Sequence, residues 1–227
     1  MRALIFDFDG LILDTETPEV AEWRRLFRAH GTEFPDSWWM QNTGRGADQI
    51  EEWPFDLLER QIGRTVDRAA LDDERKRNYW SVIEAADARP GIRATLEWAD
   101  AEGVAVAVAS SSRHEWVDRH LERLELLDRF AAICCADDVA RAKPHPDLYE
   151  LACERLGLAT EEALALEDSA NGIAAAKAAG MRVLAYPNPI TAHLDLSQAD
   201  GCLEDLAPDR IRAFAATFWP RWTSGQG

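Results

Sequence analysis

The recurrence of short, uninterrupted apolar runs, each paired with a stretch of helical spacing, most constrains what this chain can fold into. Ala3–Phe6, Val104–Ala109, Ala131–Cys135, Ala163–Leu166 and Arg182–Tyr186 are such runs. They lack the polar alternation of a half-solvated strand, so they read as strands buried on both faces. Between them, Ile92–Ala101, Trp116–Leu124, Pro146–Leu156 and Ala170–Ala179 carry helical patterns, with Gly103, Gly157 and Gly180 as stops. Short strands alternating with helices imply right-handed crossovers and a doubly wound, parallel α/β sheet. The first run is separated from the rest by a helical, polar stretch that contains no strand pattern. Asp14 or Thr15 is positioned to cap a helix over Glu16–His30, and Trp38, Trp39, Trp53 and Trp80 supply large anchors for a small core. The expected organisation is a core of residues 1–14 and 89–227 with an α-helical cap of residues 15–88 inserted after the first strand. The tail from Arg221 is expected to fray.

With 227 residues, the chain has room for one sizeable core and a smaller lobe. A net charge of −16 argues against nucleic acid or an anionic membrane as partner. An anionic substrate would then need local cations to overcome the overall field. No apolar stretch is long enough to span a bilayer, and Asp7 interrupts the N-terminus too early for a signal peptide. The cysteines, at 134, 135, 153 and 202, form no CxxC pattern. They are expected to be buried, reduced thiols in a cytoplasmic, monomeric protein, with no metal site among them.

In a sheet of this kind ligands bind at the carboxyl ends of the strands, so the residues delivered there carry the functional reading. The first strand delivers Asp7-Phe8-Asp9-Gly10. Alternation puts Asp7 and Asp9 on one side, and two crowded carboxylates call for a cation or a proton between them. A hard cation such as Mg²⁺ beside a carboxylate nucleophile fits this arrangement; a polar turn is the alternative. A calcium loop does not fit, because its glycine belongs at the sixth position and Gly10 stands at the fourth. The second strand delivers Ser110, then Ser111, Ser112 and Arg113 at a helix start, which reads either as a phosphate cradle or as a plain helix cap. Lys143, held extended by Pro144, follows the third strand; a lone lysine is more often solvated. The fourth strand delivers Glu167-Asp168-Ser169, of which Asp168 or Ser169 could be a cap. Arg45, between two glycines in Thr43–Asp48, reads equally as a mobile cationic loop or a connecting turn.

The order of these motifs, DxDG, strand-end serine, Lys-Pro and strand-end Glu-Asp, resembles that of the haloacid dehalogenase superfamily over essentially the whole chain. The branch it looks most like holds the β-phosphoglucomutase-like enzymes and sugar phosphatases. The resemblance implies a Rossmann-like core with an α-helical cap and an aspartyl-phosphate mechanism. Asp7 would be the nucleophile and Asp9 the general acid and base. Mg²⁺ would be held by Asp7, the Asp9 carbonyl and Asp168, with Glu167 helping directly or through water. Ser110, the Ser111 amide and Lys143 would hold phosphoryl oxygens, and Arg45 and Arg113 are candidate substrate contacts. Two departures favour a phosphatase of a small phosphorylated metabolite over a mutase. The histidine that mutases carry early in the cap is replaced near Pro18-Glu19, and Arg45 alone stands out in the cap for a second phosphate. A mutase and a non-catalytic phosphate-binding protein remain the other readings. A dehalogenase would not need the cation that the acidic pair calls for.

Overall fold

The computed structural model describes residues 1–42 and 52–219. In it the apolar runs become β1 (Ala3–Phe6), β2 (Ala105–Ala109), β3 (Ala132–Cys134), β4 (Ala163–Glu167) and β5 (Arg182–Ala185), with a short β6 (Gly201–Cys202). All pair in parallel in the order β3-β2-β1-β4-β5-β6. Ile5 stands opposite Ala107 on one side and Ala165 on the other, and every residue of β1 is fully buried. Helices α5 (Ile92–Ala101), α6 (His114–Arg123), α7 (Asp147–Leu156), α8 (Ala170–Ala178) and α9 (Pro208–Phe218) complete this unit. Helix α7 packs on β2 and β3, and α8 packs on β4 and β5. Small side chains allow the close approach: Ala107, Ala152, Ala165, Ala175 and Ala176 are fully buried in one cluster with Leu148 and Tyr149. The strand order reverses direction at β1, between β2 and β4, so the ends of β1 and β4 flank the crevice where an open parallel sheet binds ligands.

The chain divides into two compact units, Met1–Asp14 with the chain from Asp87 onward, and Thr15–Ala86. The second holds α1 (Glu16–Ala29), α2 (Asp36–Asn42), α3 (Pro54–Ile62) and α4 (Arg68–Ala85), with no strand among its described residues. Its core is Trp23, Leu26, Phe27, Phe34, Leu57 and Leu58, with Trp38 and Trp39 against it. Phe34 is central, 5.1 Å from the Phe27 ring and 6.3 Å from the Trp23 ring.

Two expectations are corrected. Trp53 is not a core anchor: it is the N-cap of α3, immediately before the Pro54 that starts the helix, and it is 47% exposed. Cys202 is exposed rather than buried, since it lies on the two-residue edge strand β6. Helix α9 and strand β6 were not anticipated. Strand β6 is too short to show a period, whereas Pro208 at the first turn and Ile211 with Ala215 at helical spacing were a legible signal for α9.

Candidate active site

The backbone of Asp7 remains tied to the sheet, its N–H donating to the Leu166 carbonyl at 3.0 Å. The chain then folds sharply. Phe8 turns into the core, Gly10 takes φ +83° and its N–H reaches the Leu13 carbonyl at 2.7 Å. A side chain at Gly10 would bring its Cβ within 2.2 Å of Asp168 Oδ2 and 2.8 Å of Asn188 Nδ2. Only glycine combines that left-handed conformation with so close a neighbour.

This turn brings Asp7 to the end of β4. Lys143 Nζ donates to Asp7 Oδ1 at 2.5 Å and to Glu167 Oε1 at 2.6 Å. Tyr149 also donates to Glu167 Oε1, at 2.7 Å, and its ring lies 5.0 Å from the Lys143 ammonium. Glu167 Oε2 accepts from the Asp168 and Ser169 amides at 3.1 and 3.2 Å and from Ser169 Oγ at 3.1 Å. Gly172 makes room for this carboxylate; a Cβ there would sit 1.8 Å from Oε1. Both oxygens of Glu167 are thus engaged by protein donors, which makes it the anchor of the cluster. Ser169 caps α8 as one of the sequence readings allowed, its Oγ accepting from Gly172 N–H at 3.1 Å.

The electrostatics follow from burial. Burial drives the Asp7 carboxyl well above the usual aspartate range; Lys143 opposes this, and Glu167 and Asp9 add to it. For Lys143 burial works downward, yet Asp7 and Glu167 together hold it above the ordinary lysine value. Burial, then Glu167, raises the Tyr149 hydroxyl, so it stays a donor. Asp7, Glu167 and Asp168 offer ligand oxygens within 4.8 Å of one another. Three buried acids that meet one lysine have the charge and the hard oxygen donors that suit a divalent cation such as Mg²⁺.

Asp9 faces the end of β2. Its Oδ2 accepts from Ser112 Oγ at 2.6 Å and more distantly from Ser110 Oγ at 3.4 Å, while Oδ1 accepts from Trp116 Nε1 at 2.8 Å. Ser110 is fully buried and its Oγ also accepts the Ser112 amide at 3.0 Å. No serine side chain caps α6; its N-cap is Arg113, which makes no side-chain cap bond. Ser111 and the Arg113 side chain are exposed. Of the sequence-derived residues, the structure gathers Asp7, Lys143, Glu167 and Asp168, and joins Asp9 to Ser110; Arg45 lies outside the described residues. Sequence reasoning missed Ser112 and Trp116 on Asp9, Tyr149 on Glu167, and Asn188 with Thr191 on Asp168. Ser112 stood in a conspicuous serine run, but nothing in the pattern separated Trp116 or Tyr149 from ordinary helix packing.

The family model described as haloacid dehalogenase-like hydrolase matches residues 1–180. YhcW of Bacillus subtilis, provisionally named a phosphatase, is 43% identical over 207 residues, covering 91% of this chain and 93% of that one. A Thermotoga maritima protein named phosphorylated carbohydrates phosphatase is 29% identical over 183 residues, 80% of this chain and 82% of that one. Among solved structures, a variant of CbbY from Rhodobacter sphaeroides in complex with xylulose-1,5-bisphosphate superposes with a TM-score of 0.66 at 26% identity, covering 91% of this chain and 95% of that chain. With the acidic, lysine-bridged crevice at the switch point, these likenesses establish that the chain belongs to the haloacid dehalogenase-like hydrolases and is a phosphoric monoester hydrolase of that family.

Proposed function

We propose that this enzyme is a Mg²⁺-dependent phosphatase of small phosphorylated carbohydrates that works through an aspartyl-phosphate on Asp7. The observation that carries this reading is the Asp7 carboxylate itself. It is buried at a strand end, and Lys143 engages one of its oxygens at 2.5 Å. That contact orients the other oxygen as the nucleophile. Attack on phosphorus forms the Asp7–phosphorus bond as the ester oxygen leaves, and Asp9 supplies the proton that the leaving oxygen takes. Asp9 then takes a proton from water, which attacks the same phosphorus and returns Asp7 as a carboxylate with release of inorganic phosphate. Lys143, the Ser110 hydroxyl and the Ser111 amide face the phosphoryl oxygens and spread their charge. Mg²⁺, held by Asp7, Asp168 and the Asp9 carbonyl, would neutralise the repulsion between Asp7 and an anionic substrate. Glu167 acts through Lys143, because its own oxygens are engaged.

The substrate class rests on the carbohydrate phosphatase of Thermotoga maritima and the sugar bisphosphate bound by the CbbY variant. Arg45 and Arg113 stay in this reading as contacts for the rest of the substrate. The test is a phosphate-release screen over phosphorylated sugars beside a coupled assay for glucose 6-phosphate formed from β-glucose 1-phosphate. The expected result is release from one or more sugar monophosphates, abolished by chelator and restored by Mg²⁺. Activity that persists in excess chelator, or isomerisation that outruns hydrolysis, would overturn it.

A further inference from the structure

Just beyond β5, the segment Asn188-Pro189-Ile190-Thr191 forms a turn with buried ends, Asn188 at 1% exposure and Thr191 at 0%. Its internal hydrogen bonds fix the polarity of both side chains. Asn188 Oδ1 accepts the amides of Ile190 at 2.8 Å and Thr191 at 2.9 Å, which leaves the Nδ2 group as the outward donor. Thr191 Oγ1 accepts the Asn188 amide at 2.9 Å, so the hydroxyl proton points away from the turn. Both donors converge on one atom: Asn188 Nδ2 lies 2.8 Å and Thr191 Oγ1 3.3 Å from Asp168 Oδ2. Gly10 packs against the same oxygen and against Asn188 Nδ2, leaving no room for a side chain there.

We propose that Asn188 and Thr191 are positioning residues that make Asp168 a one-oxygen ligand and so set the preference of the site for Mg²⁺ over Ca²⁺. The inference rests on the reading of Asp168 as a Mg²⁺ ligand. Mg²⁺ takes six oxygens in a near-ideal octahedron at short distance, one from each carboxylate it binds, and keeps several waters. Ca²⁺ takes six to eight at longer distance and readily chelates both oxygens of a carboxylate. Chelation by Asp168 would have to displace both donors from Oδ2, one of them a buried amide group whose aim is set by its own turn. Glu167 offers no second route, since its oxygens already accept from Lys143, Tyr149, Ser169 and two amides. With Asp168 Oδ2 held by two donors and both Glu167 oxygens already accepting, the end of β4 favours one-oxygen coordination over chelation, which serves an octahedral ion better than a larger one. Ligand-orienting groups of this kind are worth about 10–100-fold in metal affinity.

The experiment is calorimetric titration of Mg²⁺ and of Ca²⁺ into the metal-stripped full chain, wild type against Asn188→Ala, Thr191→Val and Thr191→Ser. Binding is read without turnover. Thr191→Val keeps the shape, so it gives a folded variant even if Asn188→Ala does not fold. The expected result is about 10–100-fold weaker Mg²⁺ binding in Asn188→Ala with much less change for Ca²⁺, so that the Mg²⁺/Ca²⁺ preference narrows. Thr191→Val should shift the preference the same way by less, and Thr191→Ser should restore it. A wild type that prefers Mg²⁺ beside variants that keep the same preference would overturn the inference and leave the metal reading standing. Equal weakening of both ions would also overturn it, by reducing the turn to a structural support. A wild type that binds neither ion would overturn the metal reading itself, and the inference with it.

Discussion

Asp7 is buried beside two other acids, a setting that disfavours its ionised form. Burial and the neighbouring acids raise its carboxyl well above the ordinary aspartate value of 3.8, against the pull of Lys143. For an acid the sign runs this way: when the folded pKa lies above the unfolded one, ionisation favours the unfolded chain. The contribution of Asp7 to stability is then greatest below the unfolded value and is lost as pH rises through the folded one. Asp7→Asn removes that penalty while Lys143 keeps Glu167 at 2.6 Å as a partner. At neutral pH in chelator, Asp7→Asn should raise Tm, by about 2–4 °C for each kcal/mol relieved, with the advantage shrinking toward pH 4. Its turnover should fall by about 10³-fold or more. Thermal scans over pH beside a phosphate-release assay check both. An Asn variant that is active, or less stable at neutral pH, would contradict this account of the residue.

At the scale of elements, α6 does more than cross over between strands. Its first turn carries Trp116, whose indole reaches out of the helix to Asp9 at 2.8 Å and stacks edge-on to His120 at 4.3 Å between ring centres. His114 at the same helix start bridges Asp118 and Asp138 at 3.1 and 2.9 Å, which pins the turn that follows β3 to α6. Burial works to lower His114, but the hydrogen bonds it donates to the Asp118 and Asp138 carboxylates outweigh it and leave the imidazole raised. Candidate ligand atoms of His114, Cys135 and Asp137 lie within 4.8 Å of one another beside these contacts. Trp116→Phe keeps the ring and its packing but deletes the N–H donated to Asp9. A hydrogen bond to a charged group is worth about 1.5–3 kcal/mol, so kcat should fall by roughly tenfold or more with KM nearly unchanged. Steady-state kinetics on a single sugar phosphate separate the two; a rise in KM alone would show that the indole serves binding and not the orientation of Asp9.

At the scale of the whole α/β unit, distant loops are joined by backbone carbonyls converging on one buried guanidinium. Arg89 is 8% exposed, donates to the carbonyls of Gly10 at 2.5 Å, Tyr186 at 3.0 Å and Pro187 at 2.8 Å, and lies 3.9 Å over the Tyr186 ring. Its own amide is tied to the Ile12 carbonyl at 2.8 Å. The turn that carries Asp9 and the turn that carries Asn188 are thereby fastened to the point where the chain returns to the sheet. Arg89→Met keeps most of the volume but strands three carbonyls, at about 1–3 kcal/mol for each one left buried. Denaturant unfolding should show a loss of about 3 kcal/mol or more; a loss below about 1 kcal/mol would mean that water replaces the guanidinium at little cost.

The residues that the sequence alone determined are those whose chemistry is tied to a strand end. Five apolar runs specify the parallel sheet because a two-faced burial leaves no polar alternation, and a parallel sheet fixes which end of each strand bears Asp7, Ser110, Glu167 and Asp168. The DxDG turn stood out for the same reason, and Lys143 only through its place in the order of motifs, since a lone lysine carries no mark of its partners. What only the tertiary structure decided is how individual oxygens are used. Glu167 is consumed by Lys143, Tyr149 and α8, Asp9 is clasped by Ser112 and Trp116, and Asp168 is held by a turn twenty residues further on at Asn188. Hydrogen-bond direction depends on distances between segments remote in sequence, and an apolar-looking tryptophan or a turn asparagine carries no mark of which carboxylate it will meet. The exposed Cys202 belongs to the same class, set by where the sheet runs out and not by the pattern of the residues themselves.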